Sequence, residues 1–172
     1  MASISELLKA GEGETLEFKE SFAEERELFE TLCAFSNSKG GTVLVGVRDD
    51  GRVKGVSLGR RTIEGFLNKC KSLLEPPFIP HIEETRAEGK TLIVIRVAEG
   101  INKPYFFRGV AFKRVGASNQ RVPKDELERM ILAKHRLPFE NTPIEAGLED
   151  IDEGLVSQFV REARVRRGVR LE

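Results

Sequence analysis

Apolar positions along the chain switch between two periods, and the switches mark out the elements. Leu16 and Phe18 alternate with Glu17 and Lys19, which predicts a strand over residues 15–19 with its apolar pair turned inward and Glu17 and Lys19 sharing the opposite face. A short helical arm over residues 3–10 precedes it. Over residues 23–36 the spacing becomes helical: Leu28, Phe29, Leu32, Cys33 and Phe35 fall on one stripe, and acidic residues fill the first turn, where the helix dipole favours them. Asn37-Ser38-Lys39-Gly40-Gly41 supplies turn chemistry to end that helix. Residues 42–47 are apolar and rich in β-branched side chains, as a central strand requires, and residues 52–56 are expected to pair back on them as a hairpin.

A second amphipathic helix is predicted over residues 60–74 through Ile63, Phe66, Leu67, Cys70, Leu73 and Leu74, with Pro76-Pro77 stopping it. Strands are expected at 81–86, 91–97, 105–108 and 110–115, punctuated by Gly89, Gly100 and Gly109. Pro123-Lys124-Asp125-Glu126 opens a helix that runs to about residue 136, and Pro138 closes it. The pattern predicts an α/β (α+β) domain over residues 1–137, a mixed β-sheet packed with amphipathic helices, followed by a linker and basic helical tail over residues 138–172. In that tail residues 155–169 form a weaker helix, with Arg161, Arg164, Arg166, Arg167 and Arg170 around it.

Composition supports this plan. With 172 residues, 40% of them hydrophobic and 33% charged, the chain suits one domain with an ordinary core. No apolar run approaches the roughly 18 residues that span a bilayer, and no signal-peptide pattern opens the chain, so a cytoplasmic protein without a membrane partner is expected. Cys33 and Cys70 lack the spacing of a zinc or redox site and read as inert core thiols; His81 and His135 are isolated and carry no assigned chemistry. There is no GxxxxGK[ST] phosphate loop, which excludes a P-loop ATPase.

The net charge of zero hides an uneven distribution. Residues 1–35 carry nine Glu against Lys9, Lys19 and Arg26, whereas residues 103–136 carry nine Lys or Arg against Asp125, Glu126 and Glu128. The acidic side offers Glu12, Glu14 and Glu17, with Asp49-Asp50 where the central strand stops. Hard carboxylate oxygens of this kind hold divalent metal if the segments meet. The plainer account is a solvated loop, a Glu17–Lys19 surface pair worth under about 1 kcal/mol, and a hairpin turn at Asp49-Asp50-Gly51. On the basic side Lys103, Arg108, Lys113, Arg114 and Arg121 are interleaved with Tyr105, Phe106, Phe107 and Phe112, as suits phosphates held by charge and bases by stacking. Strand alternation would put Phe106 and Arg108 on one face. With one Tyr and no Trp, most of these rings are expected in the core, which leaves the cations to carry the nucleic-acid reading.

Four ordered motifs carry a family resemblance: Glu12-x4-Glu17-Phe18-Lys19; Ala34-Phe35-Ser36-Asn37-Ser38-x-Gly40-Gly41; Gly46-Val47-x-Asp49-x-Gly51; and Lys103-Pro104 with Phe112-x-Arg114-x-Gly116-x-Ser118-Asn119. Over about residues 5–136 the chain resembles the Schlafen-type AlbA domain. The resemblance implies a nucleic-acid-binding domain, for DNA or RNA, at the N-terminus of prokaryotic proteins labelled RecG-related or transcriptional regulators, with no cofactor required for binding. In some eukaryotic Schlafen relatives it implies an endoribonuclease with three carboxylates and Mg²⁺ or Mn²⁺. The matching positions are Glu12, Glu17 and Asp49, with Lys19 assisting. A third reading is a protein-interaction module that pairs with a second copy through edge strands or the tail helix.

Overall fold

A computed structural model describes residues 3–59, 61–135 and 152–167, in two compact units, Met1–Arg136 and Leu137–Glu172. The first unit runs α1 (Ile4–Ala10), β1 (Leu16–Lys19), α2 (Glu25–Asn37), β2 (Gly41–Val45), α3 (Thr62–Leu73), β3 (Leu74–Glu75), β4 (His81–Ala87), β5 (Lys90–Val97), β6 (Phe106–Phe107), β7 (Phe112–Val115), β8 (Ser118–Arg121) and α4 (Lys124–His135). This is the expected mixed α+β arrangement. The main sheet has the order β1-β2-β5-β4, with β1 parallel to β2 and the other neighbours antiparallel. Two small antiparallel pairs, β3 with β6 and β7 with β8, complete it.

Strand alternation gives the sheet two apolar faces. Val43, Val45, Ile93 and Ile95 pack with Leu28, Phe29, Leu32 and Phe35 of α2 and with Phe66 of α3. Leu44, Leu92 and Val94 point the other way and join Leu16, Phe18, Val47 and Val53 under Ile4, Leu7 and Leu8 of α1. The turn after α2 brings its end close to β5. The Gly40 N–H bonds the Phe35 carbonyl at 2.9 Å with φ at +74°, and a Cβ there would lie 2.6 Å from the Val97 carbonyl oxygen, so only glycine fits.

Several boundaries differ from the sequence reading. β2 ends at Val45 because Gly46, at φ +103°, turns the chain; the expected hairpin partner at 52–56 keeps a single bridge, Val47 with Val53. The strand expected at 105–108 is only Phe106–Phe107, because Arg108 adopts φ +49° and starts a turn. Phe106 and Arg108 therefore do not share a strand face. β3 and β8 were not expected: β3 is two residues at the end of a helix, and Ser118–Arg121 lacks the apolar alternation that signals a strand.

In the second unit α5 (Glu153–Arg167) begins where the Asp152 carboxylate accepts the N–H groups of Gly154 and Leu155 at 2.8 and 3.0 Å. Leu155, Val156, Phe159 and Arg161 are exposed. The expected linker at 138–149, the side chains of Arg164, Arg166 and Arg167, and Arg170 lie outside the described residues, as do the ends expected for α4 at residue 136 and for the tail helix at 168–169.

Candidate functional site

The acidic motif is built by two turns against β1. Gly11, at φ +70°, caps α1 and swings the chain so that the Gly13 N–H bonds the Leu16 carbonyl at 2.9 Å. Glu12 then faces β1, and its Oε1 accepts the Phe18 N–H at 2.9 Å. The turn around Asp49 closes through Gly51 N–H to the Arg48 carbonyl at 2.8 Å and lies against the Leu8 carbonyl and the Phe18 ring. Asp49 is exposed, and Asp50 holds the turn by accepting the Arg52 N–H. Glu12 feels this company. Burial raises its carboxyl above the usual range; the Phe18 N–H opposes that, the Glu17 and Asp49 charges add to it, and Lys19 counters them. The structure thus gathers Glu12, Glu17, Lys19 and Asp49 into one neighbourhood.

Glu17 and Lys19 share a face, as their alternation requires, but that face is covered by α2, and each residue is only 6% exposed. The plainer expectation of a surface pair is corrected: this is an internal ion network. Lys19 Nζ lies 2.8 Å from Glu17 Oε1, 3.4 Å from Glu27 Oε2 and 3.9 Å from Glu24 Oε2. Burial would push the Lys19 ammonium down; the carboxylates of Glu17 and then Glu27 outweigh it and hold its pKa above the ordinary value. The second Glu17 oxygen takes Arg114 Nη2 at 2.5 Å. Arg114 also donates Nε to the Gly13 carbonyl at 3.0 Å, Nη1 to Asn119 Oδ1 at 2.8 Å and Nη2 to the Leu16 carbonyl at 3.3 Å, and its guanidinium lies 5.3 Å from the centroid of the Phe35 ring. Asn119 Nδ2 in turn donates to Thr31 Oγ1 at 2.8 Å. The pattern left Glu24, Glu27 and Thr31 unremarked, although they follow one another at helical spacing, Glu24 and Glu27 toward Lys19 of β1 and Thr31 toward Asn119 of β8.

These contacts decide how the three carboxylates stand toward a divalent ion. Both Glu17 oxygens are neutralised by cations of the chain itself, one Glu12 oxygen holds a backbone N–H, and Asp49 stands in a solvent-facing turn. Among the described residues no group of three or more His, Cys, Asp or Glu side chains is gathered as metal ligands. As these side chains stand, they do not fit a three-carboxylate metal centre.

The basic stretch divides. β7 alternates as Phe112 and Arg114 inward, Lys113 and Val115 outward. Arg114 is 1% exposed at its side chain, and its donors are committed inside the protein, so it offers nothing to a phosphate. Lys103 donates to the Ser38 carbonyl at 2.9 Å and to Glu99 at 2.6 Å, and Lys113 pairs with Glu126. Arg108 and Arg121 are exposed and make no ion pair among the described residues. Arg108 lies over the Phe107 ring, 5.4 Å from its centroid, and Arg121 faces Phe112 across the β7–β8 pair. Tyr105, Phe107 and Phe112 are core residues, and Phe106 is half-buried. A cleft of about 520 Å³ beside Glu12 carries Lys39 and Arg96 on its walls, both already paired, with Glu14 and Glu83. Burial pushes the Cys33 thiol up to about 11 and the Cys70 thiol up to about 12, so both stay protonated at neutral pH.

Residues 12–123 match the sequence pattern of the family described as Schlafen, AlbA_2. The chain belongs to that family. Several solved structures resemble this Schlafen AlbA_2 chain, two of them as follows. The N-terminal domain of a RecG-related protein from Nitrosomonas europaea shares 28% identity at a TM-score of 0.54, over 72% of this chain and 95% of that one. The DIP2311 protein from Corynebacterium diphtheriae shares the fold, at 20% identity and a TM-score of 0.57, over 89% of this chain but only 30% of that protein. No protein with a curated description matches the chain. Among the described residues no helix is long and apolar enough to cross a membrane.

Proposed function

We propose that this Schlafen AlbA_2 domain binds nucleic acid, DNA or RNA, as a module of a larger regulatory protein, and that Arg108 and Arg121 make the first contacts with phosphate. The single observation that carries this reading is their exposure without a carboxylate partner among the described residues, within residues 103–121, whose other cations are paired or buried. Its family and the RecG-related neighbour support the same class of partner. An unpaired guanidinium gains a phosphate without breaking an internal ion pair, whereas Lys103 and Lys113 must first leave Glu99 and Glu126. Those two lysines flank the contact. Binding of this kind needs no cofactor.

A second reading, a Mg²⁺- or Mn²⁺-dependent nuclease, is favoured by one observation: the Glu12 carboxyl is raised in the company of Glu17 and Asp49. Catalysis there requires a metal ion to supply Lewis acidity. It also requires Glu17 to exchange Lys19 or Arg114 for that ion, which weighs against it.

Incubating end-labelled structured RNA and single-stranded DNA with the protein in Mn²⁺ or in EDTA reads both properties from the same samples. Retarded but intact nucleic acid in either condition is expected. Mn²⁺-dependent cuts that vanish in a Glu12→Ala variant would replace the binding reading with the nuclease one, and no retardation at low salt would overturn both.

A further inference from the structure

The four-stranded sheet has two edges, and the chain treats them differently. Along β1 the Leu16 carbonyl accepts the Gly13 N–H at 2.9 Å and Arg114 at 3.3 Å, and the Phe18 N–H is taken by Glu12. That edge is closed from within. β4, at the other edge, is seven residues long and among the described residues pairs with β5 alone. An open edge of that length is a template for another strand.

The backbone phase of this edge follows from its turn. Glu88 and Gly89, at φ +54° and +73°, form a two-residue hairpin closed by Ala87 opposite Lys90. Such a closing pair exchanges both backbone hydrogen bonds, and bonded and non-bonded pairs then alternate. Ala87, Thr85, Glu83 and His81 therefore direct their backbone groups to β5, while Arg86, Glu84 and Ile82 direct theirs outward. Glu84 and Arg86 are exposed and form no ion pair among the described residues, whereas Glu83 is tied to Arg96 at 2.5 Å.

Charges on an edge strand usually guard against pairing. Here they favour one register. Two copies related by a twofold axis perpendicular to the sheet place residues of like parity opposite one another, because opposed residues share a face. With the axis through Thr85, each Thr85 meets its own copy, and Glu84 meets Arg86 of the second copy twice. Moving the axis to Glu83 or Glu84 opposes two glutamates at the centre, and moving it to Arg86 opposes two arginines. Opposite charges and Thr–Thr pairs across strands are favourable, and like charges are not. We propose that β4 pairs antiparallel with β4 of a second copy, centred on Thr85, to join two sheets of four strands into one continuous sheet. The inference does not depend on the nucleic-acid reading.

The register is tested with cysteine. Thr85 directs its backbone to β5, so Thr85 opposite its copy is a non-bonded pair, with Cα atoms about 4.5 Å apart and within disulfide range. Two copies of residue 81 would sit eight positions out of register, about 27 Å apart at roughly 3.4 Å per residue. The native thiols, Cys33 and Cys70, are buried. Under mild oxidation Thr85→Cys should give a covalent dimer on a non-reducing gel, and His81→Cys should not; equal yields, or none, would overturn the proposal. Sedimentation velocity supplies the second readout. Glu84→Arg and Arg86→Glu should each weaken dimerisation about tenfold, the effect of roughly 1.4 kcal/mol over the two symmetric pairs, and the double exchange should restore it. A wild-type chain that stays monomeric at every concentration, or single variants that dimerise as well as wild type, would overturn it as well.

Discussion

Arg114 on β7 reaches Glu17 on β1 at 2.5 Å, with the two side chains 1% and 7% exposed. The pair joins the β7–β8 hairpin to the edge of the main sheet, and Asn119 and Thr31 extend the tie to α2. Removing the guanidinium would leave Glu17 buried with Lys19 as its one remaining cation, and would bare the Gly13 carbonyl while the Leu16 carbonyl kept the Gly13 N–H. Arg114→Met is expected to cost about 3–5 kcal/mol, read as a lower urea midpoint. Arg114→Lys should recover little of it, since an ammonium cannot span four acceptors set in a fork.

Asn37 plays a similar part at the other end of α2. Its Oδ1 accepts the Tyr105 N–H at 2.7 Å, and its Nδ2 donates to the carbonyls of Tyr105 and Phe112, each at 2.8 Å. Asn37→Ala strands the Tyr105 N–H and the Phe112 carbonyl, and leaves the Tyr105 carbonyl only the Cys33 thiol at 3.2 Å. At about 1–3 kcal/mol for each unsatisfied group, a loss of at least about 2 kcal/mol is expected in chemical denaturation. Asn37→Asp should be no milder, because it keeps the acceptor and discards both donors.

The shifted groups of the acidic neighbourhood set two pH windows. Glu12 is raised in the folded state, so its contribution is full below the unfolded pKa of 4.5 and is lost as pH rises through the higher folded value. Glu12→Gln keeps an oxygen for the Phe18 N–H and removes the charge; its melting temperature should exceed that of wild type at neutral pH, with the gap closing in acid. Lys19 is also raised, so its stabilisation persists below 10.5 and fades as pH climbs through its folded value. Stability differences between wild type and Lys19→Met should therefore shrink above pH 10.5 in thermal melts. A gap that stayed constant would show that Lys19 does not titrate against Glu17.

How far the sequence carried this picture depends on the kind of signal. Periodicity located α2, α3, β1 and β5 because burial of one face is written into side-chain spacing. The same alternation placed Glu17 and Lys19 on one face, but not which element covers it, since that depends on where α2 crosses the sheet. Arg114 read as a phosphate contact because a strand cation beside aromatics looks alike whether it faces solvent or is folded inward. Its motif partner Asn119 was visible; their hydrogen bond was not. β8 escaped notice because Ser118-Asn119-Gln120-Arg121 gains its strand form from pairing with β7, not from its own pattern.

The most direct test of the nucleic-acid reading is equilibrium binding of a fluorescent single strand across a salt series, comparing wild type with Arg108→Ala/Arg121→Ala and confirming by thermal melt that the variant stays folded. Two lost phosphate contacts should weaken affinity and lower the slope of log K against log salt by about 1.4, at roughly 0.7 per contact. Unchanged affinity and an unchanged slope in the folded double variant would contradict the account.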